Sequence, residues 1–535
     1  MQAQAHRLMR DRAAGLAPAS AALLQRASAA LDAQDLQAAE VALAEVLTTA
    51  PACAEALRMQ GLVRHLRGDF AAAVTLLEQA CALCPDDALI QMNLATARYA
   101  GGDCDAALAG LQRACAMTPD FAPAWYNLGK MYMLQERAAG AVTALHRALD
   151  VEPGHVPARM LLAQAQAGLG ATGPASDNYR EVLRLEPDQP SAWLGLADLD
   201  AASFSIDDLT RLQHALQAPQ LDARARICLG FALTRALEDQ ADYRAAFQAL
   251  RKANGLMQRQ FGWNATQASA WTRTVGRHFA EPIRVARDDT AAAPHVIFIV
   301  GMPQAGSLLT AQILASHADV AVADEPGTLE QIIDAESIRR QQPFPQWTRA
   351  ATPADWLRLG RDYLARIEPL RQGKPCFVDR SPGHWRLVGA LLAMLPGARV
   401  VDSRRDALET CFACYRQLFV SGHEFSYRLD HVASYWHDYE RLCRHWRRLY
   451  PASVLAHDYE AWQADPEPSV RRLLDFCGLE FDRACTDFHA SQHVKRAASR
   501  VAVGELMRQG SLRCAAYDSQ LGHLRALLRA SPVAD

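Results

Sequence analysis

The chain has 535 residues, well past the ~250–300 at which a single hydrophobic core stops growing, so at least two domains are expected. Hydrophobic residues make up 50% and charged residues 21%, which excludes a disordered chain, and a formal charge of −3 gives no net pull toward nucleic acid or an anionic membrane. Only four of the 56 basic residues are lysines, Lys130, Lys252, Lys374 and Lys495, so any phosphate contact falls to arginine.

The N-terminus, with residues 1–17 as a helical lead-in, is polar and alanine-rich and lacks the apolar stretch of a secretory signal. No run approaches the ~18 apolar residues of a membrane span. Thirteen scattered cysteines then fit a reducing cytoplasm. Two C-x-x-C pairs, Cys81/Cys84 and Cys411/Cys414, lie in helical patterns far apart, whereas a structural zinc needs four convergent ligands. No metal site is expected.

Residues 18–204 carry an internal period. Pro51, Pro85, Pro119, Pro153 and Pro187 stand 34 residues apart, and small residues recur at fixed offsets: Gly61, Ala95, Gly129 and Ala163; Ala73, Ala107, Ala141 and Ala175; Ala80, Ala114 and Ala148. A small side chain at a repeated position lets two helices approach, and proline ends the second helix of each pair. The unit from Ala124 through Trp125, Tyr126, Gly129 and Tyr132 to Ala141, Ala148 and Pro153 resembles the tetratricopeptide consensus. About five such repeats imply an all-α solenoid whose groove would hold a protein or peptide.

From residue 205 to 293 the pattern stays helical without the period, with a repeat-like helix start at Asp239–Phe247, and it ends in a linker at Glu281–Ala293. Residues 294–535 read as an α/β domain with a mostly parallel sheet. His295–Val300 is a short β-branched run of the kind found in a buried parallel strand, followed by a loop from Gly301 to Gly306 and then a helical pattern. Strand, glycine loop and helix form a phosphate cradle, because the loop and first-turn amides point at the anion and the helix dipole adds favourable potential. The Gly301 and Gly306 spacing matches a Walker A loop, but Ser307 stands where an NTPase places lysine, which argues against an ATPase. Two further strand-to-loop elements are expected around Cys376–Pro382 and Ala398–Asp406. The basic, aromatic helix Tyr435–Tyr450 is expected to cover the sheet with its arginines in solvent; no nucleic-acid motif accompanies it.

Phe298–Pro303 with Gly306, Gln312–His317, Ser403–Asp406 with Cys411 and Cys414, and Asp458–Glu460 with Ala464–Glu467 look like bacterial tetratricopeptide-repeat sulfotransferases, which resemble tyrosylprotein sulfotransferases. The resemblance spans both halves of the chain. It implies a multidomain protein, a solenoid followed by a P-loop-like sulfotransferase domain, that moves a sulfuryl group from 3′-phosphoadenosine-5′-phosphosulfate (PAPS) to an acceptor hydroxyl. It places Glu325 as the base for the acceptor and Arg380 where related enzymes carry a catalytic lysine. Gly301, Gln304, Gly306, Ser307 and Arg405 fall on the nucleotide, with Arg405 on its 3′-phosphate. His423 and Glu424 fall near the substrate cleft. Asp406 is expected to cap a helix, and Arg404 either to add charge to the site or to pair with an acid.

The chain departs from that pattern at the nucleotide. Gln304 replaces an arginine, Ala305 and Ser307 replace serine and threonine, and Leu308 removes a hydroxyl. Ala413 stands where the family has serine, and Ser511–Ala515 lacks the Gly and Trp of a segment that closes over adenosine. Two function classes therefore follow from the sequence: a sulfotransferase with a reworked PAPS pocket, or a catalytically impaired relative that serves as a protein-binding scaffold through its repeats.

Overall fold

The 34-residue period resolves into paired helices: α1 (Pro18–Asp32) with α2 (Leu36–Thr49), α3 (Ala54–Leu66) with α4 (Phe70–Leu83), α5 (Ala88–Ala100) with α6 (Cys104–Met117), and α7 (Ala122–Leu134) with α8 (Ala138–Val151), followed by α9 (Val156–Gly168) and α10 (Thr172–Leu185). This computed structural model describes residues 16–199, 204–283, 285, 295–419, 421–488 and 512–530. Most of the expected lead-in, linker residues 286–293, Pro294 and Ser511 lie outside them. The chain divides into two compact units, one running to Gln166 and including Asp177–Leu185, the other taking Ala167–Ser176 and everything from Glu186 onward.

In the first unit the repeated alanines are the helix crossings, with Ala73, Ala80, Ala107, Ala114, Ala141 and Ala148 all fully buried. Gly129 shows how close the approach is, since a Cβ there would sit 2.6 Å from Leu145 Cγ. The second helix of three successive pairs opens on an aspartate, and Asp35, Asp69 and Asp103 accept from the amides of Ala38, Ala72 and Ala106 at 3.0, 3.2 and 3.1 Å. Each side chain thereby satisfies one of the orphan donors of a helix start. The repeat-ending prolines contribute their carbonyls: Pro85 O accepts from Gln91 Nε2 (3.2 Å), Pro119 O from Trp125 Nε1 (2.9 Å) and Pro153 O from Arg159 Nη2 (2.8 Å).

The second unit begins with helices α11 (Pro190–Ala197), α12 (Ile206–Ala215), α13 (Ala223–Asp239), α14 (Tyr243–Gln260) and α15 (Ala265–His278). The alternation then becomes β1 (His295–Gly301), α16 (Ser307–Ala315), β2 (Val320–Asp324), α17 (Thr328–Arg340), α18 (Pro353–Arg371), β3 (Cys376–Arg380), α19 (Val388–Met394), β4 (Arg399–Arg404), α20 (Ala407–Arg416), α21 (Leu429–Leu449), β5 (Val454–Asp458), α22 (Tyr459–Ala464), α23 (Pro466–Cys477), α24 (Leu512–Ala516) and α25 (Gly522–Arg529). All five strands pair in parallel in the order β2-β3-β1-β4-β5.

Both faces of β1 are buried, which explains its unbroken apolar run. Ile297 and Ile299 pack with Leu309 and Ile313 of α16 and Leu473 of α23. Val296, Phe298 and Val300 share the opposite core with Ile227 and Phe231 of α13, Leu250 of α14 and Phe279 just after α15. The non-periodic helices are thus part of the layer that covers the sheet. The expected helix start near Asp242 is present as α14, where Asp242 accepts from the Ala245 amide at 3.0 Å.

Candidate functional site

Adjacent strands β1 and β4 send their following connections in opposite directions, β1 toward β2 and β4 toward β5. That reversal opens a crevice at the carboxyl ends of the two strands, the position where open α/β sheets hold ligands. Gly301 ends β1 there with φ +150°, and a Cβ would meet Ser403 O of β4 at 2.5 Å, so only glycine fits. The Cys414 thiol donates to Pro303 O (3.2 Å) and pins the loop from below. Gly306 then supplies the N-cap of α16 without any side-chain cap, so no side chain competes for the first-turn amides of that nine-residue helix.

A cavity of about 330 Å³ opens on this helix start, at the small end of the range for ligand pockets. Five residues expected from sequence meet on its wall: Gln304, Gly306, Ser307, Arg380 and Arg405. Gly301 lies one step behind, at the strand end. Glu325 is exposed just beyond β2, with φ 46°; its amide donates to Arg380 O at 2.9 Å, and it is not among the residues lining the cavity.

The two arginines differ in how far their charge is already committed. Arg380 pairs with Asp324, its register partner on β2, and donates from Nη1 to Ser307 Oγ at 3.2 Å. The Arg405 side chain is only 9% exposed, its nearest carboxylate is Glu409 at 3.8 Å, its guanidinium lies 5.1 Å from the Tyr459 ring, and its Nε, like that of Arg380, has no hydrogen-bond partner. A buried guanidinium with an orphan donor and a distant counter-ion is suited to an incoming anion. Arg404 is instead bound by Glu440 (2.6 Å), Asp402 (3.4 Å) and Asp458 (3.7 Å), so of its two expected roles it takes acid pairing. Burial pushes the Asp402 carboxyl up, while Arg404, Tyr439 and Arg447 pull it down. Asp406 caps α20, accepting from the Glu409 amide at 3.0 Å.

Sequence reasoning singled out Ala413 of α20 but missed other residues of the lining: Phe231, Thr234, Arg235 and Glu238 of α13 and Arg416 of α20. Arg416 grips Glu238 through Nε (2.9 Å) and Nη2 (2.5 Å), and Tyr517 OH donates to the same carboxylate at 2.5 Å. Burial, and then Glu238, pushes the Tyr517 phenol up. No local motif marks these residues, because the contact joins positions 178 apart in the chain. Of the C-terminal segment compared above, the Cys514 amide donates to Glu409 Oε1 at 3.3 Å. Cys411 and Cys414 are fully buried, and burial pushes both thiols up, away from the thiolate a metal or redox role requires. Among the described residues no cluster of His, Cys, Asp and Glu could hold a metal ion, and no helix is long and apolar enough to cross a membrane.

Comparison with known proteins agrees with both halves of this architecture. Residues 294–483 match the sulfotransferase family, residues 3–88 and 122–155 match the tetratricopeptide repeat, and residues 95–136 match the TPR repeat. An uncharacterized protein of Aquifex aeolicus (strain VF5) is 27% identical over 349 residues, which cover 63% of this chain and 45% of that protein, so the chain spans less than half of that relative's length. Among solved structures, MamA is 25% identical with a TM-score of 0.27, covering 30% of this chain and 94% of its own. TTC0263, a thermophilic TPR protein of Thermus thermophilus, is 22% identical with a TM-score of 0.30, covering 32% of this chain and 95% of its own.

Proposed function

Because the chain joins tetratricopeptide repeats to a sulfotransferase-family domain, as tetratricopeptide-repeat-containing sulfotransferases do, we propose that it moves a sulfuryl group from PAPS to an acceptor hydroxyl on a protein or peptide held by the repeats. The observation that carries this reading is the convergence of an uncapped helix start and the buried, under-neutralised Arg405 on one cavity at the strand ends. When bound, the donor supplies an activated sulfuryl group whose bond to the phosphate breaks as a bond to the acceptor oxygen forms. The chain's part is positioning and charge. The amides of Gly306 and Ser307 and the amide side chain of Gln304 face the leaving phosphate, Arg380 adds charge beside Ser307, and Arg405 takes the 3′-phosphate. Glu325, at the tip of the strand next to Arg380, accepts the acceptor's proton. The thirteen cysteines are all unpaired, which supports a reducing compartment, the cytoplasm.

A second reading, a catalytically silent scaffold, draws on three observations: the neutral Gln304, the pairing of Arg380 with Asp324, and the place of Glu325 outside the cavity lining. Calorimetric titration with 3′-phosphoadenosine-5′-phosphate separates the two. The first reading expects saturable binding that Arg405→Ala weakens by about tenfold or more, the scale of a lost charge-assisted contact. Glu325→Gln should then bind normally and transfer sulfuryl more slowly in a radiolabelled assay. Binding that appears only in the double variant Gln304→Arg with Ala413→Ser identifies the scaffold; no binding in either protein removes the nucleotide from the site.

A further inference from the structure

The arginine-bearing face of α21, which the sequence assigns to solvent, is one wall of a cleft. Helices α15, α21 and α25 border an open cleft of about 880 Å³, lined by Arg273 and Arg277 of α15, Arg441, Arg444 and Arg448 of α21 and Arg529 of α25. These residues share none with the cavity at the strand ends. Opposing charge is scarce and already committed. Glu440 is the one carboxylate in the lining, and it accepts from Arg404 through Oε2 (2.6 Å) and from Arg444 through Oε1 (3.0 Å). Asp438, only 3% exposed, takes Ser269 Oγ at 2.5 Å and pairs with Arg441. Among the described residues Arg277, Arg448 and Arg529 form no ion pair, while Arg273 shares the field of Asp438 with Arg441 and Arg386, so three guanidiniums line the space without a counter-ion.

The lining is also held in place. His445 and His437 each donate Nε2–H to a main-chain carbonyl, Phe279 O at 2.8 Å and Leu527 O at 3.0 Å, since a carbonyl can only accept. That tautomer leaves His445 Nδ1 to accept from Arg448 Nη2 at 3.3 Å, orienting the fork. Trp436, Leu442 and Leu528 supply apolar wall between the charges. The volume falls in the range of small-molecule sites, and the arginines converge from three helices on a concavity instead of spreading over a flat face, as a membrane or a duplex would require. Planar forks presented from several directions match the tetrahedral oxygens of phosphate or sulfate groups. We propose that this cleft binds a small molecule carrying two or more phosphate or sulfate groups, at a site separate from the strand-end cavity.

Titration calorimetry with inorganic tripolyphosphate tests this on the full chain and on the Arg405→Ala variant, which removes the strand-end contribution. Saturable binding should persist in Arg405→Ala, fall by about tenfold or more in the double variant Arg277→Glu with Arg448→Glu, weaken as sodium chloride rises, and stay unchanged in Arg366→Glu on α18. The substituted arginines are exposed, and far-UV circular dichroism verifies that the fold is kept; the neutral pair Arg273→Gln with Arg529→Gln should give a smaller loss in the same direction. The proposal is overturned if tripolyphosphate does not bind, or if binding vanishes with Arg405→Ala and ignores the cleft variants. It is equally overturned if phosphatidylglycerol vesicles or single-stranded RNA bind through the cleft arginines while tripolyphosphate does not, because the surface would then serve a macromolecule.

Discussion

Gly301 is the residue on which the strand-end crevice depends. Its positive φ and the 2.5 Å approach to Ser403 O leave no space for a methyl group, so Gly301→Ala must strain the backbone or push β4 away. Backbone strain of this kind costs roughly 1–3 kcal/mol before the contact with Ser403 is added. Thermal denaturation followed by circular dichroism should therefore show a lower midpoint, and binding of 3′-phosphoadenosine-5′-phosphate should weaken with it; an unchanged midpoint would mean that the loop relaxes freely. Gly301 and Gly306 were legible in the sequence because a strand, a loop and a helix start are local features, each written within a few residues, whereas Arg405 was singled out by the family resemblance alone. The partnership of Glu238 with Arg416 was not, since it depends on α13 folding back over α20, and nothing near either residue records that contact. Glu325 shows the opposite limit: the family resemblance singled it out, but its exposure depends on how β2 ends, and nothing local in the sequence marks that strand.

At the scale of elements, α17 and α18 are joined by a compact ionic cluster. Glu336, 2% exposed, accepts from Arg339 Nη2 (2.6 Å), Arg340 Nε (2.5 Å) and Arg358 Nη2 (2.7 Å), and Arg340 also reaches Asp355 at 2.9 Å. The Arg339 hydrogen bond above all, followed against burial by Arg340 and Arg358, holds the Glu336 carboxyl down to about 2; the Thr352 amide and then Arg340 hold Asp355 down to about 2. Both carboxyls lie below their unfolded values, so the stability they contribute is present above about pH 4.5 and is lost as pH falls toward 2. Urea denaturation at pH 5, 4 and 3 should show a declining midpoint, and Glu336→Gln should flatten that decline; equal slopes would assign the acid sensitivity to other groups. The strands divide in the same way between legible and hidden. β1, β3 and β4 carry apolar runs that could be read, whereas the edge strands β2, Val320–Asp324, and β5, Val454–Asp458, are five residues long with alanines and polar residues among them. Their identity comes from pairing with β3 and β4, not from their own composition.

For the whole molecule, the reading of residues 205–293 as a connector has a testable cost. Ile227, Phe231, Leu250 and Phe279 belong to the core that covers one face of the sheet, and the buried Asn254 donates to Tyr415 O at 2.9 Å. A fragment of residues 294–535 would expose that face, and burying a large apolar side chain is worth roughly 1.5–3 kcal/mol. Expressed alone, it should aggregate or bind a hydrophobic dye, whereas a fragment of residues 186–535 should give a cooperative thermal transition. Cooperative unfolding of the shorter fragment would show that the sheet needs no cover from α13–α15. The period of the first unit was plain from proline and alanine spacing, while the extra helices had no repeat to announce them and show their role only in packing.

The proline carbonyls of the repeats bear on how such an array can diverge. At four of the five repeat-ending prolines the acceptor is main chain, which no substitution can remove, while the donor six residues later is Gln91, Trp125, Arg159 and, after Pro187, Trp193; six residues after Pro51 stands Leu57, which has no donor. Three different side chains satisfy one fixed oxygen. Where the contact is made, the position needs reach and a proton and no single identity, so the copies can differ in sequence while the helix spacing is kept.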